Sequence, residues 1–103
     1  MTRPRKSSAM FERARQHTLD GRERAAGAML EWAKVEAAIR EAAGKGMAQV
    51  TLVPAAPVDV KGTPLATATE SRLQNLGFAT RWDERAGPEP GTRFHTFIVS
   101  WGS

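Results

Sequence analysis

The sequence predicts an α+β fold: a basic N-terminal arm and helix, then helix, strand, helix, strand, strand, with a small three-stranded sheet covered by helices. Three observations carry this reading. Between Gly21 and Ala43 the apolar residues Met29, Trp32, Val35, Ile39 and Ala42 recur every three or four positions, the period of one helix face. Past Gly44 and Gly46 the period changes to two, as on a half-buried strand. The last two alternating segments are joined by a short Gly/Pro-rich loop, a connection suited to antiparallel neighbours and too short for a parallel crossover.

Met1 to Ser8 combines Pro4 with Arg3, Arg5 and Lys6 and has no periodic apolar residues, so it is expected to stay disordered until something binds it. From Ala9 to Leu19, Met10, Phe11, Ala14 and Thr18 leave one weakly apolar helical face. Asp20 followed by Glu23 has capping-box spacing, which predicts that a helix starts or restarts there. The stretch from Gly21 to Ala43 is the strongest helix, rich in alanine, with Glu31, Glu36 and Glu41 interleaving with Lys34, Arg40 and Lys45 on its solvated flank. Gly44 and Gly46 end it.

Met47 to Val53 reads as the first strand, stopped by Pro54. Residues 54–62 form a loop. Thr63-Pro64 is an N-cap followed by a first-turn proline, whose missing N–H would find no helical partner there anyway. That helix runs to Leu76, with Gly77 at the left-handed position past its end and Leu73 within reach of Phe78. Phe78 to Asp83 is the second strand, 84–92 a loop, and Arg93 to Trp101 the last strand. There Phe97, Val99 and Trp101 share one face, and Phe94 and Ile98 the other. The last two strands pair antiparallel, and a right-handed crossover can place the first beside one of them. The organisation is an arm over residues 1–19 and a single domain over 20–103.

A chain of 103 residues has room for one core. Its 15 Lys and Arg against 11 Asp and Glu give a net charge of +4 and a pI near 10.3. Residues 1–24 hold seven basic and three acidic side chains, whereas residues 25–103 hold eight of each. The basicity therefore belongs to the arm. With no cysteine there is no disulfide, Cys-ligated metal or thiol chemistry. No apolar run approaches the roughly 20 residues that span a bilayer, and the basic start has no apolar stretch behind it. A soluble, cytoplasmic, non-secreted protein without membrane contact is the expectation.

No constellation of catalytic residues emerges. His17 and His95 have no third metal ligand at local spacing, and His95 reads as an ordinary strand residue. Asp83 and Glu84 open a loop as solvating charges. Gly44-Lys45-Gly46 fails as a phosphate loop because a helix precedes it and no Ser or Thr follows the lysine. Trp32, Trp82 and Trp101 lack an accompanying basic groove and read as core or subunit-contact residues. No enzyme, metal or cofactor is expected.

The candidate contact residues are therefore Arg3, Arg5, Lys6, Met10, Phe11, Arg13 and Arg15. Such cations can neutralise nucleic-acid phosphates with counterion release. They can equally order on the acidic surface of a protein neighbour, with Met10 and Phe11 as an apolar anchor, and a solubilising tail without a partner is as good a reading as these two together.

From Glu36 to Trp101 the chain carries AIREAAGKGMAQVTLV, then RLQNLGF closing a helix, then FHTFIVSWG as a final strand. This order of elements resembles small structural and accessory proteins of tailed bacteriophages. The resemblance implies a non-enzymatic virion component that meets protein subunits of a larger assembly in multiple copies. It carries over no catalytic residue and does not cover the arginine-rich first 24 positions, for which nucleic-acid binding is the alternative role.

Overall fold

The computed structural model describes residues 7–102, so Arg3, Arg5 and Lys6 lie outside the described residues. The fold is α+β. Helices α1 (Ser7–Leu30) and α2 (Trp32–Gly44) precede strand β1 (Gln49–Leu52), and helix α3 (Pro64–Asn75) is followed by β2 (Ala79–Ala86) and β3 (Arg93–Ser100).

Local chemistry accounts for the ends of α2 and α3. The Thr63 hydroxyl accepts from the Ala66 N–H at 3.2 Å and donates to the Val60 carbonyl at 2.8 Å, and Pro64 occupies the first turn. At the other end of α3 the Phe78 and Gly77 N–H groups bond the Leu73 and Gln74 carbonyls, both at 3.0 Å, with Gly77 at φ +99°. Helix α2 closes in the same way, Met47 onto Ala42 and Gly46 onto Ala43, with Gly46 at φ +85°. Both glycines take the left-handed geometry that a Cβ would oppose, and each satisfies two carbonyls that would otherwise be orphaned.

The sheet order is β1-β3-β2, and β3 pairs antiparallel with both neighbours. Leu52, Phe97 and Trp82 lie in one cross-strand row, with Val50, Val99 and Thr80 in the next on that face. Strands β1 and β2 therefore run parallel to each other with β3 inserted between them and α3 in their connection, a split β-α-β unit. The handedness rule for adjacent parallel strands does not govern β1, because its only partner is antiparallel.

One face of the sheet meets the helices. Phe97, Val99, Leu30, Val35, Leu73 and Val60 are fully buried in a single cluster with Ala26, Met29 and Ala66. Trp32, Trp82 and Trp101 pack against this cluster, in keeping with the core reading. The Arg72 guanidinium sits 3.9 Å from the Trp32 ring centroid, tying α3 to α2. Trp82 lies 4.5 Å from Phe97, and its indole N–H donates to Glu70 at 3.4 Å. The Thr69 hydroxyl donates to the Leu30 carbonyl at 3.2 Å, giving a buried acceptor at the end of α1 its partner.

Four expectations are corrected. Helix α1 begins at Ser7, so Ser7 and Ser8 are helical although the segment 1–8 is expected to stay disordered. The helix expected over 21–43 breaks at Glu31, whose ψ of 136° is extended. No glycine, proline or side-chain cap marks the break: it lets Met29 and Leu30 on α1 and Val35 on α2 enter one core from two directions. No helix restart occurs at Asp20, because α1 runs through it and the Asp20 carboxylate accepts from the Gln16 side chain at 3.0 Å. Strand β2 extends to Ala86, three residues past Asp83, because Glu84, Arg85 and Ala86 find register partners in His95, Phe94 and Arg93. The Glu84–Arg93 pair at 3.1 Å accompanies that extension.

Phe97→Ala should lower unfolding free energy by about 3–5 kcal/mol through lost burial and a residual cavity. Leu76→Ala, at a position 61% exposed, should change it by less than about 0.5 kcal/mol. Urea titration of both variants measures the contrast. Glu31→Asp supplies a better N-cap for α2 and should raise stability by about 0.5–1 kcal/mol in the same assay.

Candidate functional site: the projecting half of helix α1

Every residue from Ala9 to Asp20 is exposed, and burial along α1 begins only at Gly21 and Arg22. The molecule is accordingly long, 61 × 28 × 19 Å, with a radius of gyration of 16.8 Å against about 13 Å for a compact chain of this size.

At 3.6 residues per turn Phe11 lies five turns before Met29 and points the same way, about 27 Å along the axis. Ala14 and Thr18 fall between. The face by which α1 packs on its own body thus continues beyond the body with nothing of the described chain against it. Met10 is 73% exposed, Phe11 61% and Leu19 44%. Arg13 and Arg15 share this half. Arg15 meets Glu12 at 3.6 Å in an exposed i,i+3 pair that contributes little. Arg13 makes no ion pair among the described residues.

Residues 1–6 hold three cations and no acid. Residues 7–24 hold Arg13, Arg15, Arg22 and Arg24 against Glu12, Asp20 and Glu23, a net +1. The half-helix is thus a mixed surface on which Phe11 lies between Met10 and Leu19, which point about 180° apart. Of the seven sequence-derived contact residues, Met10, Phe11, Arg13 and Arg15 lie on the exposed half of α1, where Arg15 shares the Phe11 face and Arg13 points away from it.

Its base is held by contacts that local sequence does not announce. Arg22 Nε donates to the Asp59 carbonyl at 2.7 Å and Arg22 Nη2 to the Lys61 carbonyl at 2.8 Å. The Asp59 carboxylate accepts from the Lys61 N–H at 3.2 Å and faces His95 Nδ1 at 2.9 Å. His95 in turn stands edge-on to Trp82, 6.5 Å between centroids. Helix α1, the loop over 54–62 and β3 are therefore laced together one turn before the core begins. Arg22 reads in sequence as one more cation of the arm, and Asp59 as a loop charge. Their separation of 37 residues leaves no local signal of the contact.

Among the described residues there is no group of three or more His, Asp or Glu side chains placed to hold a metal ion. A groove between α2 and β1, lined in part by Ala38, Ala42, Met47 and Val50, carries only the exposed Glu41–Lys45 pair as charge.

Comparison with known proteins finds no matching family model, no matching curated protein and no matching solved structure.

Arg22→Ala should cost roughly 1–2 kcal/mol, since two hydrogen bonds from a charged donor are lost at a part-buried site. Phe11→Ala should cost less than about 0.5 kcal/mol, because the side chain is largely solvated in the isolated protein. Thermal and urea unfolding of the two variants distinguishes an anchor from a presented contact residue.

Proposed function

We propose that this chain is a non-enzymatic structural or accessory protein that acts by protein–protein contact, its N-terminal arm tethering it to neighbouring subunits. The observation that carries this reading is the exposure of Met10 and Phe11 on a half-helix that stands clear of its own body. Methionine, aromatic residues and arginine are the types enriched where proteins meet, and Met10, Phe11, Arg13 and Arg15 are that set. The setting that fits best is a bacteriophage-like particle built from many copies of its parts, a choice supported by the element pattern from Glu36 to Trp101. The nucleic-acid alternative rests mainly on Arg3, Arg5 and Lys6, because the rest of the arm is close to neutral.

The test is incorporation of the tagged full-length chain into assembling particles, followed by gradient purification and mass spectrometry. The wild-type chain should co-purify, and Phe11→Glu should reduce its recovery at least tenfold without changing its fold. Absence of the wild-type chain from particles would overturn the particle setting. Recovery independent of Phe11, yet lost in high salt and after removal of nucleic acid, would assign the arm to phosphate instead.

A further inference from the structure

We propose that α1 is a two-state helix: the segment Asp20-Gly21-Arg22-Glu23 encodes a second helix N-terminus, at which the projecting half can part from the half that stays on the body. Three features coincide at these residues and a fourth lies just upstream.

The burial boundary of α1 falls at Gly21, with residues 9–20 exposed before it and Ala25, Ala26, Met29 and Leu30 packed after it. Gly21 is the least favourable helix-interior residue apart from proline, and close packing does not account for it. A Cβ built there would find only Arg24 Nη2, at 3.9 Å. The capping box is present but unused in the long helix. Asp20 accepts from Gln16 at 3.0 Å, and exposed Glu23 makes no ion pair among the described residues. Two residues before Asp20 the Thr18 hydroxyl donates back to the Ala14 carbonyl at 3.0 Å, a contact that favours bending.

In the second state Asp20 becomes the N-cap. Its carboxylate exchanges Gln16 for the Glu23 backbone N–H, and the Glu23 carboxylate reaches back to the Asp20 N–H. Both acids then sit at a helix N-terminus, where negative charge is favoured. Arg22 holds this new first turn on the body through side-chain bonds to Asp59 and Lys61, which owe nothing to the helix upstream. The released segment is short enough that its helix is marginal without a partner, which lowers the cost of parting it from the half on the body. The arm can therefore present Met10 and Phe11 along the axis of α1 or at an angle to it while the body is unchanged.

The absence of native cysteine permits unambiguous labelling for the test. Spin labels are placed on Arg13→Cys and Lys34→Cys, both exposed and without ion pairs among the described residues, and interspin distances are measured by pulsed dipolar spectroscopy. Two distance populations are expected. Gly21→Ala should deplete the minor one by at most about fivefold, because the glycine–alanine propensity gap applies in full to the interior position of the long helix and only in part to the first-turn position of the second state. Asp20→Ala should deplete it to a similar degree, whereas Asp20→Asn, an equally good cap, should retain it. A single population unaffected by Gly21→Ala, or a minor population that survives Asp20→Ala, overturns the proposal.

Discussion

Strand β3 is the one strand paired on both sides, and the placement of every other element follows from covering one of its faces. Phe97 and Val99 point to that face and are fully buried. Their burial needs a lateral neighbour in each direction, which Leu52 and Val50 supply from β1 and Trp82 and Thr80 from β2. It also needs a roof, built by Leu30 from α1, Val35 from α2 and Leu73 from α3. Three helices meet over two central side chains, so each contributes only one or two fully buried residues. For a small chain with little core to spare, that makes β3 the point through which the stability of all elements is shared.

The same arrangement explains how a helix can extend far past the body. Only the last third of α1 belongs to the roof, and the Arg22 contacts to the loop over 54–62 add one further turn of support. Because Asp59 faces both Lys61 and His95, that loop is fixed to β3 as well as to α1. The helix thus leaves from a base held by a loop that is itself fixed to β3. The positive charge of the chain sits mainly ahead of this lever, and the body beyond residue 24 is balanced between acids and bases.

Much of the fold was legible in the sequence because its signals are local. Thr63-Pro64 and Leu73-Gly77-Phe78 specify the ends of α3 within a few residues, and the closed contacts match that chemistry. The alternation along β3 sorted Phe97, Val99 and Trp101 onto one face and Phe94 and Ile98 onto the other, and the helices decide which of the two is inner. What was not legible depends on distant partners. The break at Glu31 has no local breaker and arises because two helices must enter one core. The added length of β2 comes from register with β3, since Glu84 and Arg85 are poor strand formers on their own. At the candidate site, Met10, Phe11, Arg13 and Arg15 were visible as a face and a charge run, whereas the lacing of Arg22 to Asp59 spans too much chain for any pattern to show. The capping box at Asp20 was a sound local signal that the long helix leaves unused.

The outer strand β2 carries one more consequence. It offers eight residues of backbone bonded on one side only, the kind of free margin that can recruit an identical strand from another molecule and grow without limit. Along it Arg81, Asp83 and Arg85 put both signs on one face and Glu84 a negative charge on the other, with Asp83–Arg85 and Glu84–Arg93 holding some of them in place. A second copy laid alongside would have to strip water from these charges in register. Open-ended stacking through this edge of the sheet is thereby discouraged.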